Sequence, residues 1–316
     1  MKISDSLPLG VAALLFEAAR RRRRLEGVCV AALQEAAFEE VILPILDYLE
    51  PYEPILTPAT RAELYRFIGR DGDPLALRSD FTAMLARLLA PRLAALDLPL
   101  RLFYRGDVVR YGGDKDSRER EFYQLGAELV GNGGAAAERE MLCLFLRLAA
   151  LAERPVRVIL GFAGALDEVL LAADDGRSLV SALRRRERRL LRPAGDTLLA
   201  VAERGVPAQP ANLGDGAAGR LRALTALVAE LRQEFPAADL EIDLAEFAHH
   251  TLDPRLADGG ADRTYYDGLV FRAYAAGSAR PVGSGGRYDR LFRDLGAEVP
   301  AVGFSFGLDR LAEEAR

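Results

Sequence analysis

The stretch Ala301-Val-Gly-Phe-Ser-Phe-Gly-Leu-Asp-Arg-Leu311 decides the fold of this chain. It predicts a strand of small and aromatic residues that runs directly into a helix carrying Arg310. A second arginine, Arg110, lies near the end of the strand-like run Leu100–Tyr111, and a similar run, Glu121–Gly131, follows it. These two runs favour a pair of antiparallel strands. The sequence therefore predicts an α+β fold, in which helices flank an antiparallel sheet.

Length and composition limit the class of protein. The chain has 316 residues, 50% of them hydrophobic, which is enough to bury one large core or two smaller ones. Its net charge of -5 does not favour nucleic acid as a partner. Cys29 and Cys143 lie in apolar runs without metal-ligand spacing, so we expect buried, reduced thiols in a cytoplasmic protein and no metal site. No apolar run approaches the roughly 18 residues of a membrane helix, and no signal peptide is recognisable.

The remaining elements follow from periodicity and turn residues. We expect a helix from Leu15 to about Ala37 and a short strand at Glu40–Ile45. A strand at Leu75–Arg78 leads into a helix from Phe81 to about Ala94. Further strands are predicted at Val156–Leu160, Leu240–Phe247, Thr264–Ala273 and Val282–Gly286, and further helices at Ala135–Ala152 and Asp289–Leu295, with residues 165–236 mainly helical.

The two arginine segments resemble motifs 2 and 3 of the class II aminoacyl-tRNA synthetases, in the version used by histidyl-tRNA synthetase. The resemblance implies one synthetase-like domain over residues 1–316, with the stretch of about 165–236 as a helical insertion. It also implies a self-dimer built by the segment around Pro44. The chain ends six residues after Arg310, so we expect no anticodon-binding domain and no tRNA partner.

The resemblance also implies a retained histidine pocket. Arg78-Ser-Asp-Phe-Thr82 resembles the loop that presents an acidic residue to the histidine amino group. Gln124 and Glu128 lie four residues apart on a strand, so they point to the same face. An ammonium requires acceptors, and an imidazole requires a donor and an acceptor in a narrow slot. The expected histidine-binding residues are Asp80, Thr82, Arg110, Gln124, Glu128 and Tyr266.

Groups that adenylation requires are missing by the same comparison. Gly112 stands where the synthetase has the glutamate that receives the adenine amino group, and Ala261 stands where it has a catalytic arginine. Arg263 is two residues away from that position, roughly 7 Å along a strand. Positioned cations supply most of the catalysis of phosphoryl chemistry, so we expect no adenylating enzyme and no catalytic residue. Three positions are expected to be vestigial phosphate or pocket residues: Arg310, Arg287 and Gly285.

A chain with the histidine pocket but without adenylation groups resembles the regulatory subunits of ATP phosphoribosyltransferase, which are paralogues of histidyl-tRNA synthetase. The opening Leu7-Pro-Leu-Gly-Val-Ala-Ala-Leu-Leu-Phe-Glu-Ala-Ala-Arg20 and the segment Phe38–Glu50 are similar to that family. The resemblance implies a non-catalytic subunit of histidine biosynthesis. It would activate a short-form catalytic subunit, bind L-histidine as a feedback ligand and carry no cofactor.

Two other functions stay open. One is a free-standing synthetase-like enzyme that activates histidine or another amino acid with ATP. The other is a stress-linked or kinase-linked sensor module. Two arginine-rich runs, Arg20–Arg24 and Arg184–Arg189, could contact phosphates, but solvated helix faces are the simpler interpretation. His249 and His250 diverge on any regular element, which disfavours a shared metal.

Overall fold

The computed structural model describes residues 7–111, 119–253, 255–256 and 266–312. Within these residues, an eight-stranded sheet is accompanied by a separate three-stranded sheet. The large sheet has the order β1-β5-β6-β11-β10-β9-β7-β8, and its central strands are antiparallel. Its strands are β1 (Glu39–Glu40), β5 (Leu100–Val109), β6 (Glu121–Val130), β7 (Val156–Phe162), β8 (Asp239–Ile242), β9 (Leu269–Ala275), β10 (Gly283–Arg287) and β11 (Ala301–Gly307). The α+β class expected from the sequence is confirmed.

The small sheet and the helices complete the described structure. The small sheet has the order β2-β4-β3, with β2 at Leu46–Tyr48, β3 at Arg66–Ile68 and β4 at Pro74–Leu77. The helices are α1 (Phe16–Glu35), α2 (Pro58–Glu63), α3 (Phe81–Leu89), α4 (Ala135–Ala149), α5 (Asp167–Leu171), α6 (Gly176–Arg184), α7 (Arg188–Leu191), α8 (Asp196–Arg204), α9 (Asp215–Glu234), α10 (Asp289–Asp294) and α11 (Leu308–Leu311).

One face of the large sheet packs against α4 and carries the main core. The ring of Phe145 in α4 lies 4.7 Å from Phe271, 5.5 Å from Phe304 and 4.5 Å from Phe306, measured between ring centres. These strand residues project to one side because side chains alternate along a strand. The alternate strand residues therefore project from the opposite face of the sheet. Gln124 and Glu128 of β6 belong to this opposite face, because they pair with Gly307 and Gly303 of β11.

A buried ionic cluster fixes α1 to this sheet. Glu26 is 2% exposed and accepts hydrogen bonds from Arg23 (2.6 Å), Arg105 (2.8 Å) and the Tyr123 hydroxyl (2.8 Å). Burial alone would raise the pKa of Glu26, but these three donors together hold it below its usual value. The arginine-rich start of α1 thus forms intramolecular ion pairs, through Arg20, Arg22, Arg23 and Arg24. These pairs favour a helix face with structural arginines over a phosphate-binding run.

Three boundaries differ from the sequence expectation. The strand predicted at Glu40–Ile45 is wrong beyond residue 40, because the carbonyls of Leu43 and Pro44 accept hydrogen bonds from the Arg78 guanidinium (2.7 and 2.9 Å). The strand predicted to reach Phe247 ends at Ile242, since the carboxylate of Asp243 accepts from the backbone of the two residues after Leu244. The helix predicted to reach about residue 94 ends at 89 and continues as a 3₁₀ turn.

Candidate functional site

The site is centred on the carboxyl group of Glu128, near the C-terminal end of β6. Glu128 is 1% exposed. Its Oε1 accepts hydrogen bonds from the hydroxyls of Thr82 (2.6 Å) and Tyr104 (3.0 Å), and its Oε2 accepts from the hydroxyl of Tyr288. Burial raises the pKa of Glu128 to about 7, although the three hydroxyl groups favour the charged form. Among the residues that the structure describes, hydroxyl groups donate to this buried carboxyl and no arginine or lysine forms an ion pair with it.

Glycines make the room that Glu128 occupies. Gly303 pairs with Glu128 across the sheet, and a side chain at position 303 would collide with Oε2 of that carboxyl. Gly286 is the next residue across the sheet, and a side chain there would meet the ring of Tyr266. Gly126 leaves space for Tyr104. We call Gly126, Gly286 and Gly303 the glycine face, because it lets a ligand or side chain lie directly on the backbone.

Helix α3 covers the glycine face and delivers two of the expected residues. Asp80 is its N-cap, and its Oδ1 accepts from the backbone N–H of Ala83 at 2.8 Å. Thr82 lies on the first turn and is directed to Glu128, while Phe81 stacks on Tyr104 with ring centres 4.4 Å apart. Burial raises the pKa of Asp80, opposed by the hydrogen bond from Ala83 and by the positive charge of Arg110.

A cavity of about 310 Å³ adjoins the start of α3. Its lining includes the polar residues Ser79, Asp80 and Arg110 and the apolar residues Leu64 and Met84. The side chain of Arg110 makes no hydrogen bond or ion pair with another described residue, and its guanidinium lies over the ring of Phe122. The cavity therefore offers a carboxylate and a guanidinium to one ligand of moderate size.

Gln124 and Tyr266 extend the site along the sheet. Gln124 is 7% exposed, and its Oε1 is a buried acceptor without a hydrogen-bond partner among the residues that the structure describes. Such atoms are costly unless a ligand satisfies them. The ring of Tyr266 meets that of His250, with centres 5.5 Å apart. Burial lowers the pKa of His250 well below its usual value, so the imidazole next to Tyr266 is neutral.

Two residues expected in the pocket lie elsewhere. Gly285 pairs with Phe271 and Phe304, so it belongs to the face that packs on α4, where its missing side chain makes room for these rings. Arg287 also points to that face and forms ion pairs with Asp289 (2.9 Å) and Glu138 (3.5 Å). The structure therefore does not bring these two positions to Glu128.

Arg310 is engaged by a carboxylate of the same chain. Its Nε and Nη2 both donate to Oε2 of Glu119, the former at 3.0 Å, and its Nη1 donates to the carbonyl of Pro281 at 3.1 Å. The guanidinium also lies 5.3 Å from the ring centre of Phe122, and Arg110 lies 5.0 Å from the same centre. The two motif arginines are thus neighbours, but only one carries an ion pair between described residues.

The expectations for Gly112, Ala261 and Arg263 fall outside the described residues. Conversely, sequence reasoning did not identify the hydroxyl donors Tyr104 and Tyr288. Leu102 of β5 pairs with Glu128 across the sheet, and Tyr104 lies two residues further on the same face. The two-residue alternation of β5 could therefore have identified Tyr104. Tyr288 follows β10 and reaches Glu128 only through the turn into α10, which no local pattern predicts.

No group of three or more histidine, cysteine, aspartate or glutamate side chains within the described residues has the arrangement of a metal site. None of the helices in the described part of the chain combines the length and the apolarity needed to cross a membrane.

Comparison with known proteins identifies the relatives of this chain. The sequence model of the histidyl-tRNA synthetase family matches residues 10–311. An ATP phosphoribosyltransferase regulatory subunit from Moorella thermoacetica is 33% identical over 313 residues, which cover 96% of this chain and 80% of that protein. The similarity therefore extends over nearly the whole chain and is not confined to one motif.

Solved structures agree on the fold. A protein from Bacillus halodurans, described as an ATP phosphoribosyltransferase regulatory subunit/histidyl-tRNA synthetase, has a TM-score of 0.79 at 24% identity, covering 99% of this chain and 83% of that one. A chain of the ATP phosphoribosyl transferase (HisG:HisZ) complex from Thermotoga maritima has a TM-score of 0.65 at 22% identity, covering 91% and 97%. At these identities the likeness is one of fold.

Proposed function

Because this chain belongs to the family of ATP phosphoribosyltransferase regulatory subunits, within the wider histidyl-tRNA synthetase family, we propose that it activates a separate catalytic subunit and reports the histidine concentration to it. The catalytic partner would be a short-form ATP phosphoribosyltransferase chain of the same host. The role is regulatory, in the first step of L-histidine biosynthesis, and the complex would be cytoplasmic. A self-dimer of this chain and the absence of a tRNA client are parts of the same proposal.

The observation that supports histidine as the ligand is the buried carboxyl of Glu128 on the glycine face. An imidazole N–H that donates to Glu128 would make a charge-assisted hydrogen bond in a site shielded from water. The orphaned Oε1 of Gln124 would accept from the ammonium group, together with the second oxygen of Asp80. Tyr266 would form a wall of the slot.

Arg110 is the group available for the negative end of the same ligand. Its guanidinium faces the cavity next to Asp80, and its charge is not neutralised by another described carboxylate in an ion pair. An amino acid carries its ammonium and its carboxylate on adjacent atoms, so neighbouring acidic and basic groups suit it. The proposed set is therefore Asp80, Thr82, Arg110, Gln124, Glu128 and Tyr266.

Feedback requires a ligand that binds two conformations unequally. Helix α3 is suited to this role because one of its ends serves both sides of the site: Asp80 faces the cavity, and Thr82 faces Glu128. The cavity wall is continued by β4 of the three-stranded sheet through Ala76 and Leu77. Histidine that engages Asp80 would order the start of α3 and could thereby shift this sheet.

The test is phosphoribosyltransferase turnover by the short-form catalytic subunit with and without this chain, and with added histidine. We expect activation that histidine suppresses. The Glu128→Ala variant should still activate but lose suppression, and its histidine affinity should fall by roughly 1 to 3 kcal/mol, because a buried charged acceptor is removed. Unchanged affinity in both Glu128→Ala and Asp80→Ala would show that the pocket assignment is wrong.

The alternative function is activation of histidine or another amino acid with ATP. The fold is that of an adenylating family, which favours this alternative, but Arg310 is already paired with Glu119. ATP–pyrophosphate exchange that depends on histidine would support the enzyme. Its absence, together with activation of the catalytic subunit, would leave the regulatory function.

A further inference from the structure

Arg310 holds an internal carboxylate through N–H groups that could otherwise bind a phosphate. The side chain of Arg310 is 20% exposed, and that of Glu119, with which it forms an ion pair, is 24% exposed. Arg280 approaches the same oxygen, Oε2 of Glu119, at 3.4 Å. Since Nη1 of Arg310 donates to the carbonyl of Pro281, every nitrogen of this guanidinium has an acceptor within the chain.

We propose that Glu119 is a specificity-determining residue that excludes oligophosphates from Arg310, by filling its donors with a carboxylate and by repelling incoming negative charge. The proposal rests on the proposed regulatory function, because it explains how this chain keeps an arginine at the strand end without using it on ATP. It concerns a residue that no motif of the sequence identified.

The first part of the effect is competition for donors. A phosphate oxygen binds a guanidinium through the same N–H groups that a carboxylate uses, and bidentate pairs of this kind are strong. An oligophosphate must therefore displace Glu119 before Arg310 can hold it. The pair is mostly shielded from solvent, so the released carboxylate is not fully compensated by water.

The second part is repulsion. Without Glu119, the neighbourhood of Phe122 would contain Arg110 and Arg310 at 5.0 and 5.3 Å from its ring centre, with Arg280 alongside. Such a group of cations attracts polyvalent anions. With Glu119 in place, a negative charge lies among these cations and repels an incoming phosphate, so the oligophosphate is rejected.

The experiment is a calorimetric titration of the purified full chain with inorganic triphosphate, without any catalytic subunit. Glu119→Ala should bind triphosphate at least about tenfold more tightly than the wild type, with Glu119→Gln between the two. Glu121→Gln is the matched control, because it changes the net charge by the same amount at an exposed position two residues away. Thermal unfolding followed by circular dichroism verifies the fold of each variant.

Two results would overturn the proposal. One is the absence of a specific gain in triphosphate affinity. This would be seen if both Glu119 variants bind within about twofold of Glu121→Gln, or if the wild type binds as tightly as Glu119→Ala. The other is a gain in Glu119→Ala that survives the additional change Arg310→Gln. If Glu119→Ala does not fold, Glu119→Gln alone decides. Because the catalytic subunit is absent, failure here is separate from failure of the proposed regulation.

Discussion

The buried carboxyl of Glu128 should make the stability of this protein fall as pH rises through neutrality. Its pKa is about 7 in the folded protein because of burial, against 4.5 for an ordinary glutamate. A raised folded pKa means that folding favours the protonated form. The contribution is fully present below pH 4.5 and is lost as the pH rises through 7. The difference corresponds to about 3 kcal/mol at 1.36 kcal/mol per pH unit.

The comparison that isolates this group is Glu128→Gln, which is neutral at every pH and nearly the same shape. The hydroxyls of Tyr104 and Tyr288 can each donate or accept, so they can adapt to an amide. The free energy of unfolding of the wild type, relative to Glu128→Gln, should fall by roughly 2–3 kcal/mol between pH 5 and pH 8. Urea unfolding followed by circular dichroism measures it, since the chain contains no tryptophan.

A flat difference between wild type and Glu128→Gln over this pH range would refute the reasoning, because it would mean that the carboxyl titrates as in the unfolded chain. Bound histidine should reverse the effect. A ligand that donates a hydrogen bond to Glu128 favours the ionised carboxylate, so a fixed histidine concentration should stabilise the wild type more at pH 8 than at pH 5. Glu128→Gln serves as the control for the titration of histidine itself.

Four further substitutions test other parts of the structure. Gly303→Ala places a methyl group on the Glu128 carboxyl and should weaken histidine binding at least about tenfold in a titration. By contrast, a methyl group added by Gly27→Ala meets no other atom, so this substitution should stabilise α1 by roughly 0.5–1 kcal/mol in urea unfolding. Glu26→Gln should cost about 2–3 kcal/mol in urea unfolding at neutral pH, because three donors lose their charged acceptor, and the loss should vanish in acid as the wild-type carboxyl protonates. Arg78→Lys should cost about 2 kcal/mol, since an ammonium cannot reproduce the fork that binds three carbonyls; equal stability would contradict this.

Much of the framework could be predicted because it depends on local alternation. The runs Leu100–Tyr111 and Glu121–Gly131 are strands that end within two residues of the expected positions. The shared face of Gln124 and Glu128 follows from the two-residue period of a strand, and the structure confirms it. These inferences required no knowledge of distant contacts.

The glycine positions show where this reasoning ends. Gly285 and Gly286 are adjacent in sequence but lie on opposite faces, and only the register with β11 decides which one reaches the pocket. A shift of one residue reverses the assignment, so composition cannot settle it. The partner of Arg310 was equally inaccessible, because Glu119 is 191 residues away in sequence. Long-range ion pairs have no local signature.

On the proposed function, the two motif arginines would separate recognition of the amino acid from adenylation. Adenylation needs cations that are free to meet the charge that develops on a phosphate. Arg310 is engaged by Glu119, whereas the side chain of Arg110, beside Asp80, has no ion pair to another described residue. Holding an amino acid would require only Arg110 and Asp80 together with Glu128. A site divided in this way would bind its ligand and release it unchanged, as a sensor of the end product must.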